Sequence, residues 1–346
     1  MKQMQKLWPI NQLFLFLASM SIVIIILKYA SDILVPFLLS IAITMILNPL
    51  LKYLVKRHIP KAVALVLILS ASLVPVILLS NTIATEVSAL VGDTQSMSSN
   101  FTQAVERSSA FFKTFGIVVD ENILHKSLEK SNLSEIIKQM ASQISNQFSN
   151  IFLIYFTAAF MLMEAEFFYN KMMKIAKTNN RDTAAWMRIV SKIKSYFMIK
   201  VKTSLLTALW VLAVLWFYDV SYLYLWVTLV FFLNFIPVVG SIIAAVPAIV
   251  MAGMDHGVMS AVWVGSWYAI INMVVGNIIE PRIMGRGLGL SALVVFISMT
   301  FWGWVFGPAG MILSVPLTMV IQFMFEQYDE TRWVSLFLSD YEKDKG

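Results

Sequence analysis

The sequence predicts an all-helical membrane protein that crosses the bilayer several times. Hydrophobic residues make up 59% of its 346 residues and charged residues only 13%, a composition too apolar for a soluble domain. Several apolar runs approach the roughly 20 residues with which a helix spans the hydrocarbon core. Two further apolar segments are broken by proline and glycine. We therefore predict about six spanning helices, two re-entrant helical hairpins and a helical extramembrane segment, with eight simple spans as the alternative.

Residues 1–85 form the first predicted unit, which consists of three membrane helices. Their apolar runs cover residues 13–27, 33–51 and 62–79. Lys2 and Lys6 precede the first run, but no small-residue cleavage site follows it, so we interpret it as an uncleaved helix rather than a secretory signal. Asn48 and Pro49 should end or kink the second helix, because proline lacks the backbone donor that a helix interior needs.

Residues 86–148 differ from the rest of the chain in composition. Serine, asparagine and glutamine dominate them, and over residues 86–147 seven acidic residues stand against five Lys and Arg. Asn132 and Glu135 have the spacing of a capping box, which opens a helix. The segment therefore predicts a small helical unit outside the membrane, and no pattern in it selects a ligand-sensing role.

Residues 149–202 combine a fourth membrane helix, over residues 151–168, with a strongly basic loop. Residues 171–202 hold nine Lys and Arg against one acidic residue. Because basic loops stay in the cytoplasm, this segment should face inward. Counting spans back along the chain then places the N-terminus and the basic residues 52–61 inside, and the polar segment 86–148 outside.

The same basic segment also carries an apolar face. Its apolar residues recur at helical spacing: Trp186, Ile189, Ile193 and Phe197. An apolar stripe amid positive charge is typical of a helix that lies on the inner membrane surface. The chain then crosses outward over residues 203–218 to reach Asp219.

Residues 203–325 form the predicted transport core, because two segments in it are broken in the same way. Residues 222–251 and 291–325 each contain two apolar halves, too short to span, on either side of a Pro/Gly tip. Proline removes a donor and glycine permits a sharp reversal, so each pair suits a re-entrant hairpin; two kinked helices are the alternative. Broken helices in corresponding positions are the best sequence indication of a transporter site.

The predicted binding residues lie at these two breaks. At the first break they are Asn234, Pro237, Gly240 and Ser241. At the second break they are Gly307, Pro308, Gly310 and Ser314. Helix ends expose unpaired backbone groups, and amides and hydroxyls can hydrogen-bond a polyhydroxylated solute. The same amides, together with Asn272, could instead join helices to each other.

A second group of polar residues follows the sixth predicted span, over residues 257–279. The predicted gating or coupling residues are Asn277, Glu280, Arg282 and Arg286. Glu280 and Arg282 flank Pro281 at a helix end, where they form either a coupled charge pair or an interfacial salt bridge. If residues 222–251 form a hairpin, the two arginines lie in the cytoplasm together with the short polar tail, residues 326–346.

The sequence also argues against several classes of function. It has no cysteine, no GxSxG or Walker pattern, and no carboxylate–histidine cluster at ligand spacing. We therefore predict no enzymatic activity, no cofactor and no metal. The net charge of +6 does not indicate nucleic-acid binding, because basic residues of membrane proteins mark cytoplasmic loops. The expected partners are a small polar solute and the lipid bilayer.

Three stretches carry a resemblance to a known family. Residues 276–318 read GNIIEPRIMGRGLGLSALVVFISMTFWGWVFGPAGMILSVPLT, residues 32–50 read DILVPFLLSIAITMILNPL, and residues 234–247 read NFIPVVGSIIAAVP. They resemble the signature of the autoinducer-2 exporter family, a group of bacterial inner-membrane transporters. The resemblance implies export of autoinducer-2, or a similar small polar metabolite, in quorum sensing.

The resemblance also implies an architecture and a mechanism. Two hairpins would bind the solute and carry it by an elevator-like shift, in a homo-pentamer of the bacterial inner membrane with both termini in the cytoplasm. The sequence holds no ATPase module, so transport would be passive or ion-coupled. A sodium(lithium)/proton antiporter is the alternative function, and a channel-like or scaffolding protein is a third class.

Overall fold

A computed structural model of the chain describes residues 10–92, 151–178, 183–284 and 289–340. The helices, in order, are α1 Ile10–Tyr29, α2 Ser31–Lys56, α3 Lys61–Gly92, α4 Ile151–Thr178, α5 Thr183–Phe217, α6 Leu223–Leu233, α7 Gly240–His256, α8 Val258–Val274, α9 Glu280–Met284, α10 Ala292–Glu326 and α11 Arg332–Leu338. A π-helical turn, Val275–Ile279, joins α8 to α9. No strand occurs in the described ranges, which confirms the all-α prediction.

Six of these helices are long and apolar enough to cross a membrane, counted over the described ranges. Five of the six overlap predicted spans and belong to α2, α3, α4, α5 and α8. The sixth is α10, whereas the first predicted span corresponds to α1, whose apolar part is shorter. Large apolar side chains such as Ile22, Leu78 and Phe152 are exposed on the outside of the bundle. Lipid contact accounts for such a surface, so the prediction of a multi-span membrane protein is confirmed.

Two helix boundaries differ from those predicted. Helix α2 does not end at Asn48 and Pro49 but continues to Lys56, since α3 and α4 pack against it along its length. Helix α3 extends beyond the apolar run into the polar segment, where Leu90 is buried among residues of other helices. Most of the predicted extramembrane helical unit, from residue 93 onward, lies outside the described residues.

The predicted surface helix is also different, because it is the first half of α5. This helix runs unbroken for 35 residues, from the basic segment into the span that follows. Ile189, Ile193 and Phe197 are buried against residues of α10 rather than lying in a membrane surface. These three residues of the predicted interfacial face therefore pack against protein, whereas Trp186, at the start of that face, is 41% exposed.

Helices α6 and α7 form an antiparallel pair, the first hairpin. At one end, the backbone N–H of Ser221 donates to Asp255 Oδ2 at 2.8 Å. At the other end, a Cβ added to Gly240 would lie 1.7 Å from the carbonyl oxygen of Leu233. The chain therefore reverses at residues 234–239, with a glycine where two backbones meet too closely for any side chain.

Helix α10 contains the second hairpin, which reverses at Gly307. This glycine has φ +65° and ψ −152°, a conformation outside any helix and available to glycine. The Trp302 indole N–H donates to Thr318 Oγ1 at 3.2 Å, although a straight helix would separate them by about 24 Å. At the open end of the hairpin, Gln322 donates to the carbonyl of Gly289.

Helix α5 lies between the two hairpins. Its N-terminal half shares a buried cluster with α10, to which Met319 and Phe323 belong. Its C-terminal half contributes Val211 and Leu215 to a cluster with α6, α7 and α8. Elsewhere, Lys61 at the start of α3 forms an ion pair with α4: its Nζ lies 3.6 Å from Glu166 Oε2. The basic segments before α3 and at the end of α4 therefore lie at the same end of the bundle.

Candidate functional site

A buried ion pair joins the middle of α5 to the start of α9, directly after the π-helical turn. Lys200 Nζ lies 2.7 Å from Glu280 Oε1, and the two side chains are 8% and 14% exposed. Lys200 is the central residue of α5, with 17 residues on either side of it in Thr183–Phe217. Charge at this depth in an apolar helix is costly unless it is paired, and such pairs mark solute or ion pathways in membrane proteins.

The π-helical turn positions Glu280 for this contact. The backbone N–H of Glu280 donates to the carbonyl of Val275, five residues earlier, instead of four. Pro281 follows, and a proline ring clashes with the carbonyl four residues before it, here that of Asn277. A widened turn relieves that clash, and it rotates the residues that follow. Turns of this type recur at functional sites.

The tip of the first hairpin contacts the same pair. Lys200 Nζ also donates to the backbone carbonyl of Asn234 at 3.4 Å. The Asn234 side-chain amide donates to Ser204 Oγ at 3.0 Å, and Ser204 is fully buried. Lys200 and Ser204 are one helical turn apart, so a single face of α5 holds the tip through both its backbone and its side chain.

A second polar contact holds the other side of this tip. Ser241 Oγ donates to Asn272 Oδ1 at 2.9 Å, which joins the start of α7 to α8. Asn234, Ser241 and Asn272 therefore all lie around the tip of the first hairpin; the first two were predicted at this break, and their role in binding stays a prediction. Pro237 and Gly240 are buried within that tip, where they shape the backbone.

The predicted residues of the second break lie in a different environment. Around Gly307, the buried residues Trp302 and Phe306 pack against α1 and α2, with Ile24 and Leu34 among their neighbours. Pro308 is exposed. A Cβ added to Gly310 would lie 1.9 Å from the carbonyl oxygen of Trp302. Ser314 is fully buried, and its Oγ donates to the carbonyl of Met311. Described contacts thus tie the first tip to α5 and α8 and the second to α1 and α2.

Comparison with known proteins identifies the family. Residues 14–330 match the profile of the AI-2E family transporters. The chain belongs to the AI-2E transporter family. It is 33% identical to the AI-2 transport protein TqsA of Escherichia coli (strain K12) over 330 residues. This alignment covers 95% of this chain and 96% of that protein. This membership confirms the resemblance found in the sequence and the prediction of a transporter rather than an enzyme.

Other AI-2E relatives match over nearly the same length. A putative transport protein of Haemophilus influenzae (strain ATCC 51907 / DSM 11121 / KW20 / Rd) is 35% identical over 351 residues, covering 99% of this chain and 100% of the relative. The putative transport protein YhhT of Escherichia coli (strain K12) is 28% identical over 310 residues, covering 90% of this chain and 89% of the relative. The whole chain, rather than one part of it, therefore corresponds to a transporter of this family.

The predicted gating residues of this AI-2E transporter fall in three different places. Glu280 is largely buried, but its partner is Lys200 rather than Arg282, whose side chain is exposed. Asn277 is exposed in the π-helical turn, and Arg286 lies outside the described residues. The predicted pairing of Glu280 with Arg282 is thus replaced by a longer-range pair across two helices.

Sequence reasoning missed Lys200 because it was counted with the basic cytoplasmic segment. The signal that could have identified it is the period of the buried face of α5. Buried residues recur every three or four positions: Ile189, Ile193, Tyr196, Lys200, Thr203, Thr207 and Val211. Lys200 occupies a place on this stripe, and a lysine on a buried stripe requires an acidic partner. Glu86 was missed as well; its carboxylate accepts from the backbone N–H of Leu225 and so caps α6.

Proposed function

We propose that this AI-2E transporter exports a small polar signalling metabolite such as autoinducer-2 from the cytoplasm. Family membership and the name of the E. coli relative, an AI-2 transport protein, support the solute class. The location of the proposed solute site rests on one observation: the buried Lys200–Glu280 pair contacts the tip of the first hairpin. It combines a cation, a carboxylate and a broken helix at one place inside an apolar bundle.

The groups around this tip suit a solute rich in hydroxyl groups. Asn234 and Ser204 bond each other, and Ser241 bonds Asn272, so each group has a hydrogen bond that a solute hydroxyl can replace. Glu280 can accept from a hydroxyl, whereas Lys200 can donate to a carbonyl or hydroxyl oxygen. When a solute binds, these internal hydrogen bonds are exchanged for hydrogen bonds to the solute. Without solute, the internal bonds keep these groups paired, so the free-energy cost of the empty site stays low.

An elevator-like movement is the proposed mechanism. With the N-terminus inside, the open end of the first hairpin at Asp219 and Asp255 faces outward, and the open end of the second hairpin, at Gly289 and Gln322, faces inward. Both hairpins would then be re-entrant and enter from opposite faces. Because α5 packs against both of them, the three elements can move as one body that carries the solute past α2 and α4.

We also propose the inner membrane as the site of this protein, with both termini in the cytoplasm, and a homo-pentamer as its assembly. Basic residues cluster at the end of the bundle that the charge bias assigns to the cytoplasm. A mass measurement of the purified protein in detergent tests the pentamer. A monomer or dimer under conditions that preserve transport would exclude it.

Transport of labelled autoinducer-2 into inverted membrane vesicles tests the proposed function. Export from the cell corresponds to uptake in this orientation, so vesicles that contain the protein should accumulate the label above vesicles that lack it. The assay is run with and without a sodium or proton gradient. Absence of uptake under all three conditions would exclude transport of autoinducer-2, as for a scaffold, whereas equilibration that does not saturate with concentration would favour a channel-like protein.

A sodium(lithium)/proton antiporter is the second candidate, because Glu280 is a largely buried carboxylate with a lysine partner. A cation that binds Glu280 would release Lys200, and a proton lost from the lysine would balance the charge. Antiport predicts that a sodium gradient drives proton movement in vesicles without any organic solute. Proton movement that requires autoinducer-2 would instead assign coupling to the exporter.

A further inference from the structure

A polar cavity of about 310 Å³ lies at the open end of the second hairpin, away from the Lys200–Glu280 pair. It is enclosed by the first half of α5, the end of α10 and the start of α11. Its polar lining residues are Arg188, Lys192, Gln322, Glu326, Gln327 and Arg332. Arg188 and Lys192 are one turn apart on α5, so both side chains extend from the same face of that helix.

The charges of this cavity favour an anion with several oxygen atoms. Three basic side chains and one carboxylate, that of Glu326, line it, which gives a net charge of +2. The amide of Gln327 adds a neutral donor, whereas the amide N–H groups of Gln322 already donate to the carbonyls of Gly289 and Ser335. Guanidinium groups bind phosphate through paired N–H donors, and a lysine adds a point charge, so a phosphate group fits this set better than a single carboxylate.

The surroundings of the cavity indicate where the phosphate comes from. Trp186 and Val190 flank the basic residues on α5 and are 41% and 48% exposed. Trp333 and Phe337 on α11 are 67% and 80% exposed. Exposed tryptophan beside basic residues is typical of a surface at the level of the lipid headgroups. The cavity therefore opens at the boundary between an apolar surface and a basic one.

We propose that this cavity binds the phosphate group of an anionic phospholipid. The bound headgroup would join three elements, because Lys192 belongs to α5, Gln327 directly follows α10 of the second hairpin, and Arg332 belongs to α11. The open end of the second hairpin is already held by bonds from Gln322 to Gly289 and Ser335, and the lipid adds a contact to α5. Membrane composition would then set how firmly the second hairpin is attached to α5.

Thermal-shift titration of the purified full-length protein in detergent tests this site. The probes are dioctanoyl-phosphatidylglycerol, dioctanoyl-phosphatidylcholine and glycerol 3-phosphate, with sodium chloride at equal ionic strength as the reference. The variant is Arg188→Gln/Lys192→Gln. The control is Lys52→Gln/Lys56→Gln, which removes two exposed lysines with the same spacing on α2. Should the double variant not purify, Lys192→Gln and Arg332→Gln replace it, since they lie on different helices.

We expect phosphatidylglycerol to raise the melting temperature of the wild-type protein. The apparent Kd for phosphatidylglycerol should be at least about tenfold higher in the cavity variant and unchanged in the control. Glycerol 3-phosphate binding as tight as phosphatidylglycerol, and lost in the cavity variant, also supports the phosphate site but assigns it a soluble ligand. Equal weakening in both double variants, or none in either, would overturn the proposal. A shift by phosphatidylcholine as large as that by phosphatidylglycerol would overturn the preference for an anionic lipid.

Discussion

Lys200 Nζ and Glu280 Oε1 lie 2.7 Å apart in a place where each side chain is almost entirely removed from solvent. The pair spans 80 positions of sequence and fixes α5 against the start of α9. Removal of one charge leaves the other buried without its partner, whereas removal of both does not. This asymmetry makes the pair testable by stability and by transport together.

The first prediction concerns this pair. Glu280→Gln and Lys200→Gln should each lower the free energy of unfolding by about 3–5 kcal/mol, and Lys200→Met/Glu280→Met should recover most of it. Lys61→Gln is the control, because its partner Glu166 is exposed and such pairs contribute about 1 kcal/mol or less. Melting temperatures in detergent provide the measurement. If the double variant folds but its uptake no longer responds to an ion gradient, the ion pair couples transport to that gradient. If its uptake is still driven by the gradient, the ion pair has a structural role only.

The second prediction concerns the tip of the first hairpin. Asn234→Ala should reduce uptake of autoinducer-2 about fivefold or more, because it removes a hydrogen bond of about 1 kcal/mol to the solute. Asn81→Ala serves as the control, since that amide is exposed on α3 and belongs to neither predicted group. Ser204→Ala removes the internal partner of Asn234 without removing the amide itself. Equal loss of uptake in Asn234→Ala and Ser204→Ala would show that the amide holds the tip and does not bind solute.

The third prediction concerns the tight reversals. Gly310→Ala should destabilise the protein by at least about 1–3 kcal/mol, because the added methyl group meets the carbonyl of Trp302. Gly240→Ala should do the same through Leu233. At Gly265 an added Cβ meets a flexible end of Ile249 at 3.4 Å, so Gly265→Ala should be tolerated. Unchanged melting temperatures for all three variants would contradict the close backbone approach in both hairpins.

The fourth prediction concerns the side of the membrane at which each hairpin opens. The chain contains no cysteine, so single cysteines can be introduced without a prior change. His256→Cys should react with an impermeant maleimide from outside, and Arg282→Cys only after the inner face is opened. His256 ends α7 just before α8 begins, Arg282 lies in α9 beyond the other end of α8, and both side chains are exposed. The reverse labelling pattern would exclude re-entry of the first hairpin and favour eight simple spans.

Much of this fold follows from the sequence because membrane helices carry their own signal. A long apolar run must be a helix, since only a helix satisfies its backbone in lipid. The breaks at Pro237–Gly240 and Gly307–Gly310 were predictable because each places proline close to glycine, whereas a single proline such as Pro75 does not end its helix. Family signatures in these stretches then led to the correct family.

The pairing of residues was less predictable, because charge was assigned by neighbours in sequence rather than in space. Glu280 was expected to pair with Arg282, two positions away, whereas a helix directs such residues to different faces. Lys200 was assigned to a loop because eight other basic residues surround it. The helical period of α5, which continues through that segment, would have placed it on the buried face.

The unbroken course of α5 sets the rotational phase between the two hairpins. Phe197 packs in the cluster of the second hairpin and Val211 in that of the first, with the ion pair between them. One inserted residue in this interval would turn everything beyond it by about 100° and advance it by about 1.5 Å. Lys200 would then either lose its contact with Glu280 or no longer lie on the same face of α5 as Phe197. The number of residues between these clusters is therefore fixed by geometry, independently of which side chains fill the positions.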